Sequence, residues 1–283
     1  MDELRRGLAG VALAALVLGA CGGTHRASHP AQSAPTSTTA SIPPLQAALL
    51  RSVRTTRAAR TAHLSLSIGI SGVVAGGANF SEAGTGVVDF MTENTDLMLT
   101  TSVPGAPTTL TELRLADSVL YVRTGTDGSA RWRRVDLRQQ LGTSLSGLSS
   151  QSDPSEALAY LSAVSDDVRK DGIANVRGVA ATHYLATLDL AKALRRPELA
   201  GSARAKLAVL APKLGSQRIP IEAWIDAGGR LRRVVISYPL LPLLPARQSA
   251  GVPPNATIHI QEDLYDFGTP VHVQAPPASA VGP

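Results

Sequence analysis

The chain has 283 residues and a formal net charge of +5, with 1 Cys, 2 Trp, 5 Tyr and 3 Phe. A single cysteine excludes an internal disulfide, so the fold depends on a packed core of Leu, Val, Ile and Ala. The basic balance does not indicate nucleic acid, because the arginines are scattered with no aromatic platform between them; anionic lipid headgroups or acidic glycans are the partners that such a surface fits.

The chain begins with a short apolar segment that ends at its only cysteine. Residues 7–18 are too few to span a bilayer, which needs about 20 apolar residues, but they suit the hydrophobic region of a secretory signal. Residues 18–21 (LGAC) resemble the bacterial lipobox. The resemblance implies that residues 1–20 are a signal peptide and that Cys21 carries a diacylglycerol anchor. The alternative is an ordinary signal peptide with a cysteine nearby by accident.

Residues 21–44 are rich in Ser, Thr, Ala and Pro and have no hydrophobic period, which predicts a disordered tether. About 20 such residues reach on the order of 25 Å. Two histidines in so mobile a segment, His25 and His29, are too few ligands for a metal site. No later segment is long and apolar enough to be a second membrane span.

A basic helix is predicted over residues 45–61, where an apolar stripe is formed by Leu45, Leu49 and Val53. Arginines recur on the remaining faces at every third position: Arg51, Arg54, Arg57 and Arg60. These arginines have two interpretations. They form a solvated polar face, or the helix rests on anionic lipid beside the anchor, at about 1 kcal/mol per arginine near the surface.

From residue 63 the hydrophobic period becomes two, as expected for a half-buried strand. Further strand-like runs are separated by turn residues: 84–91, 96–101, 110–116, 119–124 and 131–137. This pattern predicts an antiparallel meander.

The second half of the chain mixes helices with strands. A helix is predicted from Pro154, with Asp153 as its cap, and a longer helical region over 189–214 is interrupted at Pro197. Strands are predicted at 166–176, 182–190, 218–225, 231–238 and 257–267, and a Pro-rich tail follows. The order of elements predicts an α+β fold in which helices pack on one face of a large antiparallel sheet.

The sequence contains no catalytic or phosphate-binding motif. His63, His183 and His259 fall on the polar positions of strands, which indicates hydrogen-bonded or solvent-facing imidazoles. Glu262 and Asp263 are neighbours on a strand and therefore point to opposite faces, so they form no two-carboxylate site. We expect no catalysis, no cofactor and no metal site.

The connection at residues 239–245 (PLLPLLP) is unusually apolar. Prolines exclude a regular helix or a central strand for its leucines, which are Leu240, Leu241, Leu243 and Leu244. Either the leucines fold back onto the core, or they form an apolar lip that contacts the membrane or gates the entry of a lipid.

Together with the lipobox, four stretches resemble lipoproteins of the LppX/LprG/LprA/LprF type, within the wider LolA/LolB-like superfamily of lipid carriers. The stretches are 176–190, 219–226 (IPIEAWID), 229–233 (GRLRR) and 265–271 (YDFGTPV). The resemblance implies a LolA-like lipid-binding domain over residues 45–275, followed by a flexible tail at 276–283. It also implies a strongly curved half-barrel, closed by helices on its concave face, that is anchored at the outer face of the cell membrane.

The resemblance further implies an acylated lipid or lipoglycan as ligand, an envelope lipid transporter as partner, and no enzymatic activity. Inward-facing apolar side chains are the candidate ligand contacts: Leu64, Leu66, Ile68, Phe90, Leu97, Leu99, Tyr184 and Leu188. Composition alone does not distinguish a cavity lined by such residues from a core filled by them. The alternative function is therefore a non-catalytic protein-interaction or envelope-sensing lipoprotein with a solid core.

Overall fold

The computed structural model describes residues 43–72, 81–103, 105–126, 130–135, 154–164, 167–195, 199, 201–216, 218–244, 246 and 249–282. All of them belong to the unit Ser41–Pro283. The predicted signal peptide, Cys21 and all but the last two residues of the predicted tether lie outside the described residues.

Eleven antiparallel strands form one sheet. They are β1 (Thr61–Ser71), β2 (Ser81–Asp89), β3 (Asn94–Ser102), β4 (Thr109–Ala116), β5 (Val119–Gly125), β6 (Arg133–Val135), β7 (Arg169–Val176), β8 (Val179–Asp189), β9 (Arg218–Asp226), β10 (Leu231–Pro239) and β11 (Thr257–Tyr265). Their order is β6-β5-β4-β3-β2-β1-β11-β10-β9-β8-β7. The sheet thus consists of an N-terminal meander (β1–β6) and a C-terminal meander (β7–β11), joined where the first strand pairs with the last.

The inner face of the sheet is apolar, as the period of two predicts. In β1, Leu64, Leu66 and Ile68 are buried, and the residues between them are more exposed. The register sets Leu64 opposite Leu264 and Ile68 opposite Ile260, so the apolar face continues across the junction of the two meanders.

Two glycines mark a sharp bend of the sheet at β2. Gly84 and Gly86 lie on the inner face, between the leucines of β1 and β3. A Cβ at Gly84 would overlap the carbonyl oxygen of Met98, and one at Gly86 would overlap that of Asp96. Glycine in a strand allows such a close backbone approach and is a device for curving a sheet. The predicted curved α+β fold is confirmed.

The described segments contain four helices beside the sheet: α1 (Pro44–Ala58), α2 (Pro154–Ser162), α3 (Leu190–Leu194) and α4 (Gly201–Leu214). Helix α1 packs against α2 and β10, α2 packs against α4, and α3 packs against α4 and β8. Pro44 occupies the first turn of α1, where its missing N–H costs no hydrogen bond. Among the described helices, none has the length and apolar character needed to cross a bilayer.

The end of the chain is bound to the N-terminal meander. We call residues 269–282 the C-terminal strap. The Thr61 hydroxyl donates to the carbonyl of Thr269 at 2.7 Å, and farther along the strap Trp132 pairs in parallel with Val281. The Trp132 N–H donates to the carbonyl of Ala280 at 2.9 Å. The described residues of the segment 276–283 therefore hold backbone hydrogen bonds with Trp132.

Candidate ligand-binding interior

The candidate contacts of the N-terminal meander lie on both sides of the glycine-bearing strand. Leu64, Leu66 and Ile68 come from β1, and Leu97 and Leu99 come from β3. All five side chains are buried. The four leucines lie opposite the two glycines of β2. Because glycine has no side chain, only the backbone of β2 separates the leucines of β1 from those of β3.

The other three candidate residues lie farther apart in the sheet but in the same apolar cluster. Phe90 follows β2 and is held by a hydrogen bond from its N–H to the carbonyl of Arg60, at 2.8 Å. Tyr184 and Leu188 lie on β8, opposite Ala223 and Ile219 of β9. The structure therefore brings all eight predicted side chains into one continuous apolar interior.

Two carboxylates also face inward, which the sequence analysis did not anticipate. Glu82 lies opposite Ile68 and accepts a hydrogen bond from the Thr101 hydroxyl at 3.2 Å. Glu262 lies opposite Leu66. Both are buried, and neither is without an interaction partner. A signal for Glu82 exists, because residues 82, 84, 86 and 88 share one register; the strand was expected to begin only at residue 84.

The apolar connection after β10 folds partly inward. Leu240 and Leu243 are buried, whereas Leu241 and Leu244 remain partly exposed. Leu241–Leu243 forms a 3-10 turn that packs against α4. Inward packing thus accounts for two of the four leucines, and two keep surface that a membrane or a lipid can contact.

This leucine connection lies at the end of the sheet where α1 begins. The Gln46 side chain donates to the carbonyl of Val164 at 2.9 Å, and Val164 bridges to Leu188 at the end of β8. Strands β8 and β10 both run toward this edge, because they are separated by one antiparallel strand. The start of α1, where the tether joins, therefore shares an edge of the sheet with the leucine connection.

The outer face of the C-terminal meander is polar and paired. The His183 ring stacks on Trp224 with a 4.1 Å separation of the ring centroids. Its Nε2 lies 2.8 Å from a carboxylate oxygen of Glu222, and its Nδ1 lies 3.2 Å from Asp171. The prediction of a hydrogen-bonded imidazole is confirmed for His183, because both of its ring nitrogens lie beside carboxylate oxygens.

The two other strand histidines are engaged in a similar way. The ring nitrogens of His259 lie 2.7 Å from the Ser71 hydroxyl and 2.8 Å from the Ser237 hydroxyl. His63 Nδ1 lies 3.6 Å from Asp266. Within the described segments, no group of three or more His, Cys, Asp and Glu side chains has an arrangement suited to a metal ion.

An ion pair with a buried carboxylate joins β10 and β11 on the outer face of the C-terminal meander. Arg233 donates to both carboxylate oxygens of Asp263, at 2.6 and 2.7 Å, and Asp263 is 4 % exposed. The pKa of Arg233 is raised by these hydrogen bonds and by the attraction of the carboxylate, against the opposing effect of burial. Asp263 and the inward-facing Glu262 point to opposite faces, as predicted.

Comparisons with known proteins find similar solved structures. No protein-family model and no curated protein matches the sequence. LprF from Mycobacterium bovis is similar over 82 % of this chain and 96 % of its own, with 18 % identity and a TM-score of 0.45. Lipoprotein LppX from Mycobacterium tuberculosis is similar over 81 % of this chain and 98 % of its own, with 17 % identity and a TM-score of 0.44.

A putative outer membrane lipoprotein-sorting protein domain from Vibrio parahaemolyticus is similar over 78 % of this chain and 93 % of its own, with 7 % identity and a TM-score of 0.26. The two mycobacterial proteins are of the lipoprotein type that the sequence resembles. At these identities the matches assign no role to any residue of this chain.

Proposed function

We propose that this protein is a non-catalytic envelope lipoprotein, anchored at the outer face of the cell membrane through Cys21, that binds an acylated lipid or lipoglycan. The ligand's acyl chains lie against the inner face of the sheet, in contact with the eight apolar residues named above. Transfer of this lipid to or from an envelope lipid transporter extends the same proposal.

The observation that carries the proposal is the continuous apolar inner face shared by both meanders. Burial of an acyl chain there contributes about 0.8 kcal/mol per CH₂ group.

We assign Leu241 and Leu244 to the entrance of the interior. The assignment is supported by their partial exposure at the edge of the sheet where α1 begins, because the proposed tether precedes α1 in the chain. A lipid leaving the membrane would then meet apolar side chains before it reaches the interior.

Native mass spectrometry of the anchored protein, purified from its membrane in detergent, tests both parts of the proposal. We expect a covalent mass increase on Cys21 that persists on denaturation, and a second mass, typical of an acylated lipid, that is released on denaturation. A protein that carries no releasable lipid and takes up no added diacylated lipid would support the interaction or sensing function with a solid core. Absence of the covalent increase would refute the anchor alone.

A further inference from the structure

Five arginines form what we call the basic ridge: Arg51, Arg54, Arg57, Arg60 and Arg230. Helix α1 turns its other side to the core, where Leu49, Val53 and Thr56 are buried. Arg51 and Arg54 are exposed on the side away from the sheet. Arg51 and Arg54 thus lie on the outer side of the helix, Arg57 is half-buried in its last turn, and Arg60 continues the row just beyond the end of the helix.

The loop between β9 and β10 brings Arg230 to the end of this row. The N–H of Leu231 donates to the Thr56 hydroxyl at 2.8 Å, and Gly229 lies beside Thr55. Arg230 is thereby held against the last turn of α1, where it is exposed and stacks over Phe267. Residues distant in sequence thus extend the basic helix into a longer basic surface.

In the described part of the chain, the arginines of the ridge are not paired with carboxylates. Among the described residues, no carboxylate lies within 4.0 Å of a ridge arginine. Helix α1 contains no Asp or Glu. By contrast, the neighbouring arginines Arg232 and Arg233 are paired with carboxylates. Unneutralised charge along one side of a helix attracts a surface of opposite charge.

We propose that the basic ridge is a docking surface for anionic lipid headgroups and that α1 lies parallel to the bilayer there. This inference rests on the proposed anchor, because residues 22–43 separate Cys21 from α1 by a reach on the order of 25 Å. Among the described elements, α1 is the one that the shortest length of chain separates from the proposed anchor. The negatively charged surface that the proposed anchor brings within this reach is an anionic membrane.

The test uses the full chain with Cys21→Ala, so that no acyl anchor contributes, and vesicles of phosphatidylglycerol and phosphatidylcholine. We expect the triple variant R51Q/R54Q/R60Q to lower the partition coefficient onto these vesicles about 100-fold at low salt, at roughly fivefold per arginine. The matched control R133Q/R134Q/R169Q removes the same charge from exposed arginines of β6 and β7. Its expected loss is below about fivefold, because these strands are the far edges of the sheet.

Measurements at higher ionic strength and with single substitutions test the membrane docking further. The difference between the two triple variants should disappear at about 0.5 M salt and on pure phosphatidylcholine, because screening removes headgroup attraction. Arg51→Gln and Arg60→Gln should each cost about fivefold, since a helix parallel to the bilayer brings both ends to the headgroups. A loss confined to Arg51 would overturn the parallel orientation.

Equal losses in the two triple variants would overturn the proposal, because net charge would then account for binding. Binding to dextran sulfate but not to the anionic vesicles would also overturn it and would assign the ridge to an acidic polymer. The lipid load measured by native mass spectrometry should be the same in the ridge variant and the parent chain. A failure of docking is therefore distinguishable from a failure of lipid binding.

Discussion

The two meanders bury similar inner faces by different means. In the C-terminal meander, helices pack on the strands: α1 contacts β10 and α3 contacts β8. In the N-terminal meander, two inner-face glycines bend the sheet at β2, and the C-terminal strap covers Trp132 near the edge strand β6. Trp132 is further enclosed by the guanidinium groups of Arg114 and Arg123, 5.0 and 4.8 Å from its ring centroid.

Within the described segments, the C-terminal meander thus packs against helices, whereas the N-terminal meander curves around the interior. Where helices cover the strands, the apolar side chains find their partners within the protein. Where the sheet closes by bending, the leucines of β1 and β3 face a shared interior. We therefore expect the proposed ligand to make its main contacts in the N-terminal meander and the C-terminal meander to supply more of the stability.

The largest expected effect compares Leu188 of β8 with Leu99 of β3, each of which is 0 % exposed. Leu188→Ala should lower the free energy of unfolding by about 4 kcal/mol, because its neighbours close the resulting void only partly. Leu99→Ala should cost about half as much but should weaken lipid retention, since part of its contact is with the ligand. Urea unfolding measures the first quantity and native mass spectrometry the second. Equal unfolding costs with unchanged lipid retention would contradict the division between the two meanders.

The next effect concerns the bend. Gly84→Ala should cost about 3 kcal/mol, because the new Cβ forces the backbone of β3 away from β2. Gly69 on β1 is the matched control, since a Cβ there meets nothing within 4 Å. Gly69→Ala should change the free energy of unfolding by no more than about 0.5 kcal/mol. Chemical denaturation measures the free energy of unfolding of both variants. Equal losses would show that the close backbone approach at β2 does not require glycine.

The smallest effect concerns the ion pair between β10 and β11 in the C-terminal meander. Arg233→Gln should cost about 2 kcal/mol, because it removes two charge-assisted hydrogen bonds from the buried carboxylate of Asp263. The control is Arg218→Gln, which removes the exposed pair with Asp167 and should cost less than about 0.5 kcal/mol. The expected difference between the two variants, about 1.5 kcal/mol, is smaller than the cost expected for Leu188→Ala or Gly84→Ala. Similar thermal unfolding of both variants would show that the pair does not stabilise the pairing of β10 with β11.

Much of the fold follows from local patterns. The alternation of apolar residues in β1 and the turn at residues 226–230 between β9 and β10 predict their strands with errors of a few residues at the ends. The interruption of a helical region at Pro197 agrees with α3 and α4 on either side, although Pro197 itself lies outside the described residues. Period and turn chemistry depend on neighbours in the chain, and a sequence displays them directly.

The candidate interior was predicted only as a set of residues. Alternation places Leu64 and Tyr184 on apolar faces, but it does not state that the two faces belong to one interior. That depends on the pairing of β1 with β11, in which His63 lies opposite Tyr265, about two hundred residues later in the chain. The inward direction of Glu82 and the hydrogen bonds of the C-terminal strap likewise depend on distant partners.

By itself, the sequence determined the α+β class, the polar positions of the strand histidines and the list of inward apolar side chains, whereas the export signal and its lipobox cysteine stay predictions. Each of these rests on composition or on a period of two to four residues. The tertiary structure alone decided the junction of the meanders, the bend at Gly84 and Gly86, and the joining of Arg230 to the arginines of α1. These features arise from hydrogen bonds and close packing between segments far apart in the chain, which no local pattern encodes.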